Sequence, residues 1–137
     1  MRAALDAAAK HFTVVEAKDH VRHPKPGGYI DYNLIVRNPN NGHLCELQFH
    51  FDLMIEAKHH GGHGAYKKER AASGGQRIRH MTDRKARGHV MRAVHKGQHA
   101  YRNARVEIAQ DPNRRAMYEA FSKLECIAMK NGAGFGR

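Results

Sequence analysis

The sequence has no tryptophan, only two cysteines and no long apolar run, and each shortage excludes a class of protein. Cys45 and Cys126 lie far apart, and two thiols make neither a disulfide framework nor a cysteine zinc site. No segment resembles a signal peptide or a membrane span. With aromatic residues at 7%, the core must rest mainly on Val, Ile, Leu and Met. These shortages predict a cytoplasmic protein that does not enter a membrane.

Acidic residues are also few, which leaves a formal net charge of +11 from 24 Lys and Arg against 13 Asp and Glu. A charge of this size attracts polyanions such as nucleotides, RNA and DNA. Much of it lies in residues 67–105, here named the basic segment. Composition leaves two interpretations of the basic segment open, a solvated helix face and an RNA-binding surface.

The chain of 137 residues is expected to form one compact domain. Its order of predicted elements indicates an α+β fold, with a small, mainly antiparallel sheet flanked by helices. Residues 1–72 are expected to form the core of this unit, and residues 73–137 a basic helical extension of it. Hydrophobic periodicity and turn signals predict a helix over 2–11, strands over 12–18, 29–37 and 43–51, a helix from Leu53 capped by Asp52, a short helix near His63, an irregular stretch over 73–82, a helix over 83–109 and a last helix from Pro112.

The centre of the predicted sheet is a hairpin over 29–51, joined by the turn signal Asn-Pro-Asn-Asn-Gly at 38–42. Alternation along its second strand puts Glu46 and Gln48 on one face, because successive side chains point to opposite sides. Cys45 falls on the other face, which is apolar, and is expected to be a small buried residue. The polar face is therefore the one on which chemistry is expected.

Three sets of residues along this part of the chain could bind a nucleotide. Gly28 before Tyr29 lets the backbone approach a ligand, and the tyrosine ring can stack on a flat base. The Glu46 carboxylate can hold a Mg²⁺ that bridges phosphates, or activate a hydroxyl. His63, Tyr66 and Lys67 share a face if their segment is helical, which suits a polyphosphate. A turn, an exposed sheet face and a basic surface helix are the ordinary structural alternatives.

A histidine cluster over residues 59–63 offers three imidazoles that could bind zinc or nickel. No Cys, Asp or Glu stands at ligand spacing beside it, and Gly61-Gly62 interrupts the predicted helix. The pattern therefore favours a solvated or phosphate-facing cluster. The sequence contains neither a P-loop nor a Gly-x-Gly-x-x-Gly pattern.

Between Lys18 and Arg70 the chain resembles the RelA/SpoT synthetase family, because four segments occur in the family's order. They are KPGGYIDYNLIV, CELQFHF, DLMIEAK and GHGAYKKER. The resemblance implies a partial nucleotidyltransferase-like fold. It also implies a pyrophosphotransferase of the GTP diphosphokinase type, which transfers pyrophosphate from ATP to the 3′-hydroxyl of GDP or GTP with Mg²⁺. The product, (p)ppGpp, is the alarmone of the stringent response.

The resemblance also implies a role for each matching residue. Glu46 is the acidic catalytic residue that helps bind Mg²⁺ and prepare the attacking hydroxyl. Tyr29, following Gly28, stacks on the acceptor base, and Gln48 supports the acceptor. Asn33, at the position where the family usually has a histidine, is also expected to bind the substrate. The residues expected to contact acceptor phosphates are Lys18, Lys25, His63, Tyr66 and Lys67.

The family's ATP-donor half, with an Arg-x-Lys strand and a metal-binding Asp, lies upstream of the segments matched here. We therefore expect this chain to carry the acceptor half and to be inactive without a donor half. Two alternatives remain open. One is a non-enzymatic module that binds nucleic acid, such as tRNA, through the basic segment. The other is a toxin-like enzyme that pyrophosphorylates tRNA.

Overall fold

The computed structural model describes residues 1–62, 64, 67, 71 and 82–132. It confirms an α+β fold with a three-stranded antiparallel sheet of order β1-β2-β3. The elements are α1 (Arg2–His11), β1 (Thr13–Asp19), β2 (Asp31–Arg37), β3 (Leu44–His50), α2 (Asp52–Ala57), α3 (Arg84–Ala109) and α4 (Arg114–Lys130). A π-helical turn, Lys58–Gly62, follows α2. The nucleotidyltransferase-like character of the fold stays a prediction.

The chain divides into two compact units. Unit 1 contains residues 1–24, residues 30–51 and the chain from 109 onward, whereas unit 2 contains residues 25–29 and 52–108. Each unit therefore combines segments that are distant in sequence. The predicted division, into a core over 1–72 and an extension over 73–137, is instead made at a single point in the sequence. It stays a prediction.

In unit 1, the predicted hairpin is formed by β2 and β3. The Asn38 N–H donates to the His43 carbonyl oxygen at 2.8 Å, which closes the turn. Gly42 has a φ of 73°, a backbone conformation that glycine adopts at no steric cost. The turn fixes the register that pairs Arg37 with Leu44 and Asp31 with His50.

The core of unit 1 lies between one face of the sheet and α4. Tyr32, Leu34 and Val36 alternate along β2 and are buried. Phe121 of α4 stacks on the Tyr32 ring with 4.3 Å between centroids. The predicted stripe of α4 is buried along its length: Met117, Phe121, Leu124 and Ala128. This packing covers one face of the sheet and leaves the polar side chains on the other.

Two predictions about unit 1 are wrong. Cys45 is exposed on β3, which is one of the two edge strands of the sheet. The last helix begins at Arg114 rather than at Pro112. Asp111 accepts a hydrogen bond from the Asn113 N–H at 2.8 Å, so it forms a turn before the helix instead of capping it.

Unit 2 contains α2, α3 and the turn over residues 25–29. Met54 and Ala57 are the buried residues of α2, while Leu53, predicted to lie inward, is only half-buried. Gly61, with a φ of 150°, interrupts the helical path after α2, as predicted. The helix α3 continues through Gly97, which is buried with Val90, Tyr101, Ala104 and Ile108.

Several predicted features lie wholly or partly outside the described residues. His63 and Tyr66 are among them, as are residues 73–81 of the predicted irregular stretch. Gly64, Lys67 and Ala71 are described, and all three are helical. Across the described part of the chain, no helix has both the length and the apolar character needed to cross a bilayer.

Candidate functional site

Four of the predicted site residues share one face of the sheet in unit 1. Lys18 on β1 is the cross-strand partner of Asn33 on β2, which is in turn the partner of Gln48 on β3. Glu46 lies in the adjacent row, opposite Ile35. Directly opposed residues of antiparallel strands point to the same side. The strand register therefore brings Lys18, Asn33, Glu46 and Gln48 together on the polar face.

Two amide groups hold the Glu46 carboxylate. Asn33 Nδ2 and Gln48 Nε2 both donate to its Oε1 atom, the latter at 3.3 Å. Asn33 is only 4% exposed, and its Oδ1 atom is buried without a hydrogen-bond partner among the described residues. A buried acceptor without a partner is costly and often marks a place for a ligand, an ion or a water. Asn33 therefore orients Glu46 and presents a second oxygen beside it.

The rest of the polar face carries charges that sequence reasoning passed over. Ile35 on β2 has Glu46 of β3 as its partner on one flank and Glu16 of β1 on the other, all on the same face. The Glu16 Oε1 atom is 3.5 Å from Lys18 Nζ. Asp31 is fully buried, and its Oδ1 atom lies 2.7 Å from His20 Nδ1. Alternation along β2 puts Asp31 on the same face as Asn33, so the period of the strand could have identified it.

A magnesium ion at Glu46 is compatible with these side chains. Mg²⁺ prefers oxygen ligands and is commonly held by one or two carboxylates together with substrate phosphates and waters. Glu46 supplies a carboxylate, and the unpaired Asn33 Oδ1 supplies a neutral oxygen close by. No cluster of three or more His, Cys, Asp or Glu suited to a metal occurs in residues 1–62, 64, 67, 71 and 82–132.

In unit 2, the Lys25–Tyr29 segment forms a compact turn. The Gly28 N–H donates to the Lys25 carbonyl oxygen at 2.8 Å, and the Lys25 N–H donates to the Tyr29 carbonyl oxygen at 2.9 Å. Gly27 and Gly28 have φ angles of 89° and 95°, which other residues rarely adopt. Both glycines are therefore required by the backbone of the turn itself.

The ring of Tyr29 packs against α3. It meets Tyr101 edge to face, with 5.3 Å between ring centroids, and Lys25 Nζ lies 5.7 Å from its centroid. Burial raises the pKa of the Tyr101 hydroxyl, which keeps it protonated. Tyr29 is half-buried, so the ring has a structural role and retains some exposed surface.

Arg105 is a second residue that sequence reasoning did not assign to the site. Its Cζ atom would lie 3.5 Å from a β-carbon at Gly28, an ordinary contact distance. A larger side chain at Gly28 would displace the guanidinium. Arg105 belongs to the basic segment. It differs from the other cations of that segment because it contacts the Lys25–Tyr29 turn, which is distant in sequence.

The predicted site residues thus fall into two groups. Lys18, Asn33, Glu46 and Gln48 lie together in unit 1, and Lys25, Gly28 and Tyr29 lie together in unit 2. Lys67 is exposed, and His63 and Tyr66 lie outside the described residues. None of the protein-family models, curated proteins or solved structures compared with the chain matches it.

Proposed function

We propose that the chain is a RelA/SpoT-like nucleotidyltransferase domain that binds a guanine nucleotide, GDP or GTP, as the acceptor of pyrophosphate in (p)ppGpp synthesis. The observation that supports this most is the Glu46 carboxylate, held by Asn33 and Gln48 on the polar face that also carries Lys18. A fixed carboxylate beside amide and ammonium groups suits a hydroxyl that must lose a proton near phosphates.

The proposal assigns the activation of the acceptor hydroxyl to unit 1. Glu46 binds Mg²⁺ and accepts hydrogen bonding from the acceptor hydroxyl, while Gln48 keeps the carboxylate in place. Lys18 contributes positive charge toward phosphate, although it shares that charge with Glu16. A Mg²⁺ ion held by Glu46 would neutralise phosphate charge during transfer.

In unit 2, the proposal assigns base stacking to Tyr29. The Gly28 backbone allows close approach, and Lys25 beside the ring contributes positive charge. Lys67, His63 and Tyr66 are the further phosphate contacts that the resemblance implies. ATP is the donor in the proposed reaction, and it is bound by the donor half of the family's active site.

Isothermal titration of the full chain with GDP, GTP and ppGpp, each with Mg²⁺, tests the proposal. We expect saturable binding that Tyr29→Ala weakens about tenfold, because base–aromatic stacking contributes about 1–3 kcal/mol. Tyr29→Phe keeps the ring and should retain the affinity. Melting curves of both variants separate an effect on stacking from an effect on packing against Tyr101. No binding at millimolar ligand, or equal binding by Tyr29→Ala, would contradict the proposal.

The alternative function, nucleic-acid binding, is supported by the composition of α3. This helix carries a single acidic residue, Glu107, and its cations form no ion pair with the acidic residues that the structure describes. Most of its cations are exposed: Arg84, Lys85, Arg87, Arg92, Lys96 and Arg102. A row of such cations along one helix suits a phosphate backbone. A tRNA pyrophosphotransferase would combine this surface with the Glu46 chemistry.

Charge reversal at Arg84, Lys85 and Arg87 tests the alternative. If the chain binds tRNA through α3, affinity should fall steeply with salt, and the triple reversal should reduce the logarithmic salt slope by about one unit for each phosphate that is no longer neutralised. Electrophoretic mobility shifts over a salt series measure this. Guanine-nucleotide affinity should stay unchanged in the same variant. Absence of a shift at low salt would exclude RNA binding through this helix.

A further inference from the structure

Unit 1 contains a cavity of about 420 Å³ on the side of the sheet that faces away from Glu46. It lies between the residues that follow β1 and the first turn of α4. Its charged lining consists of three arginines and one acidic residue, which are Arg22, Arg114, Arg115 and Asp111. Two tyrosines, Tyr32 and Tyr118, also line it. Its volume lies within the range of small-molecule sites, about 300–1,000 Å³.

Arg22 forms a fixed wall of this cavity. Its Nε atom lies 2.9 Å from Asp19 Oδ2, and its Nη2 atom lies 3.4 Å from Glu125 Oε2. Its guanidinium also lies over the Tyr118 ring, 4.6 Å from the centroid. Two carboxylates therefore balance its charge and fix its position. Arg22 shapes the cavity more than it adds free positive charge.

Arg114 is the cation of the cavity whose charge no carboxylate balances among the described residues. It stands in the first turn of α4, and the one hydrogen bond that its guanidinium makes there runs from Nη1 to the Ala109 carbonyl oxygen at 3.5 Å. Arg115, the next residue, pairs with Glu119 at 3.0 Å on the exposed side of the helix. The first turn of a helix carries partial positive charge, so a cation there is unfavourable and an anion is favourable.

The first turn of α4 also lacks the usual compensation. It contains no acidic residue, and Asn113 caps the helix without a side-chain hydrogen bond. Initial backbone N–H groups of a helix have no partner within it and attract anions. Asp111 lines the cavity as well and keeps its negative charge, although its Oδ1 atom accepts the Asn113 N–H. The positive charge in the first turn of α4 itself comes from Arg114, Arg115 and the helix terminus.

Tyr32 provides an independent indication of a ligand. The residue is 1% exposed, it lines the cavity, and its hydroxyl forms no hydrogen bond to any residue that the structure describes. Burial, reinforced by the Asp19 carboxylate, raises the pKa of Tyr32 to about 12, so the hydroxyl keeps its proton and can donate. The hydroxyl is not one of the fully buried side-chain atoms that lack a partner, so it reaches the cavity and can donate there. An acceptor in the cavity would supply a partner for it.

We propose that this cavity binds a small phosphate-bearing molecule, whose phosphate lies at the first turn of α4 and accepts hydrogen bonds from Arg114 and the Tyr32 hydroxyl. Tyr32 and Asn33 are neighbours on β2, so their side chains point to opposite faces of the sheet. The cavity is therefore separate from the Glu46 face, and the inference does not depend on the proposed function.

The test is calorimetric titration of the full chain with inorganic phosphate at constant ionic strength, followed by AMP and by adenosine. We expect saturable binding of phosphate and of AMP, and none of adenosine at the same concentrations. Tighter binding of AMP than of phosphate would show that the cavity also takes the nucleoside. Equal binding would show that it recognises the phosphate alone. Absence of saturable phosphate and AMP binding at millimolar concentration would overturn the proposal.

Variants locate the binding in the cavity. Arg114→Glu should weaken phosphate binding about tenfold or more, because it removes a charged hydrogen bond and adds a repulsion. The same change should raise the melting temperature, because it places an acid at the start of α4. Tyr32→Phe keeps the stacking on Phe121 and removes only the hydroxyl. It should weaken phosphate binding by a smaller factor than Arg114→Glu.

Arg84→Glu on α3 is the matched control, because it changes the net charge by the same amount outside the cavity. It should leave phosphate binding unchanged. Equal weakening by Arg84→Glu and Arg114→Glu would mean that phosphate responds only to net charge, and the proposal would then be wrong. Loss of binding in Glu46→Gln, with Arg114→Glu unaffected, would assign the phosphate to the polar face instead.

Discussion

Replacing Phe121 by alanine is expected to lower the free energy of unfolding of unit 1 by about 3–5 kcal/mol, the usual result of removing a buried aromatic ring. Phe121 is fully buried and stacks on Tyr32, so its loss opens a cavity against the centre of the sheet. Domains of this kind are stable by only about 5–15 kcal/mol, so the loss would be a large fraction of the total.

Urea denaturation followed by far-UV circular dichroism measures this change. Met129→Ala is the matched control, because Met129 lies on the same helix and is 51% exposed. Its effect should stay within about 0.5 kcal/mol, as for most surface positions. A comparable loss in the two variants would show that α4 does not pack on the sheet through Phe121.

The second large effect is expected at Glu46. Gln has the same shape as Glu and keeps an oxygen for the Asn33 and Gln48 amides, so Glu46→Gln should fold and melt normally. It removes the charge that would hold Mg²⁺. We expect guanine-nucleotide affinity measured with Mg²⁺ to fall about tenfold or more, in line with changes to metal-site residues.

Titrations with and without Mg²⁺ separate this loss from general damage. Without the metal, wild type and Glu46→Gln should bind nucleotide with similar affinity. Glu16→Gln is the control, because Glu16 lies on the same face on the other side of Ile35 and pairs with Lys18. If both substitutions reduce the Mg²⁺ effect equally, Glu46 is not the metal ligand.

The hairpin and its polar face could be predicted because their signals are local. The turn at 38–42 sets the register, and alternation along each strand then determines which side chains share a face. This is why the sequence could predict that Glu46 and Gln48 share one face of their strand. The contact between Asn33 and Glu46 needs the cross-strand register as well, and the sequence pattern alone does not specify it.

Features that depend on distant contacts could not be predicted. The burial of Cys45 depends on whether another element covers the edge strand β3, and periodicity carries no such information. The cavity beside Arg114 needs α4 to meet the end of β1, which lies about a hundred residues earlier in the chain. Likewise, Arg105 differs from the other cations of α3 only because it contacts Gly28.

The start of α4 shows a different limit, which is competition between local signals. Asp111 and Pro112 are favoured at the first positions of a helix. Here the Asp111 side chain accepts the Asn113 N–H, and the Arg114 N–H donates to the Asp111 carbonyl oxygen at 3.0 Å. This turn delays the helix by two residues. Helix and turn use the same residue types, so the sequence favours both.

The join between the end of α4 and the first strand has a consequence for biosynthesis. Asn131 Nδ2 donates to the Val14 carbonyl oxygen at 2.7 Å, at the point where a bulge shifts the register between Val14 and Glu16. One of the earliest strands to be synthesised is thus secured by one of the last described residues. The part of the apolar face that Phe121 covers stays exposed until this residue has left the ribosome.

At ordinary translation rates this interval lasts several seconds, which is far longer than a helix or hairpin needs to form. Nascent chains would therefore carry a formed hairpin with an exposed apolar face, the kind of surface that chaperones bind and that drives aggregation. A chain stalled before α4 should be captured by chaperones on the ribosome. Completion of α4 should release it.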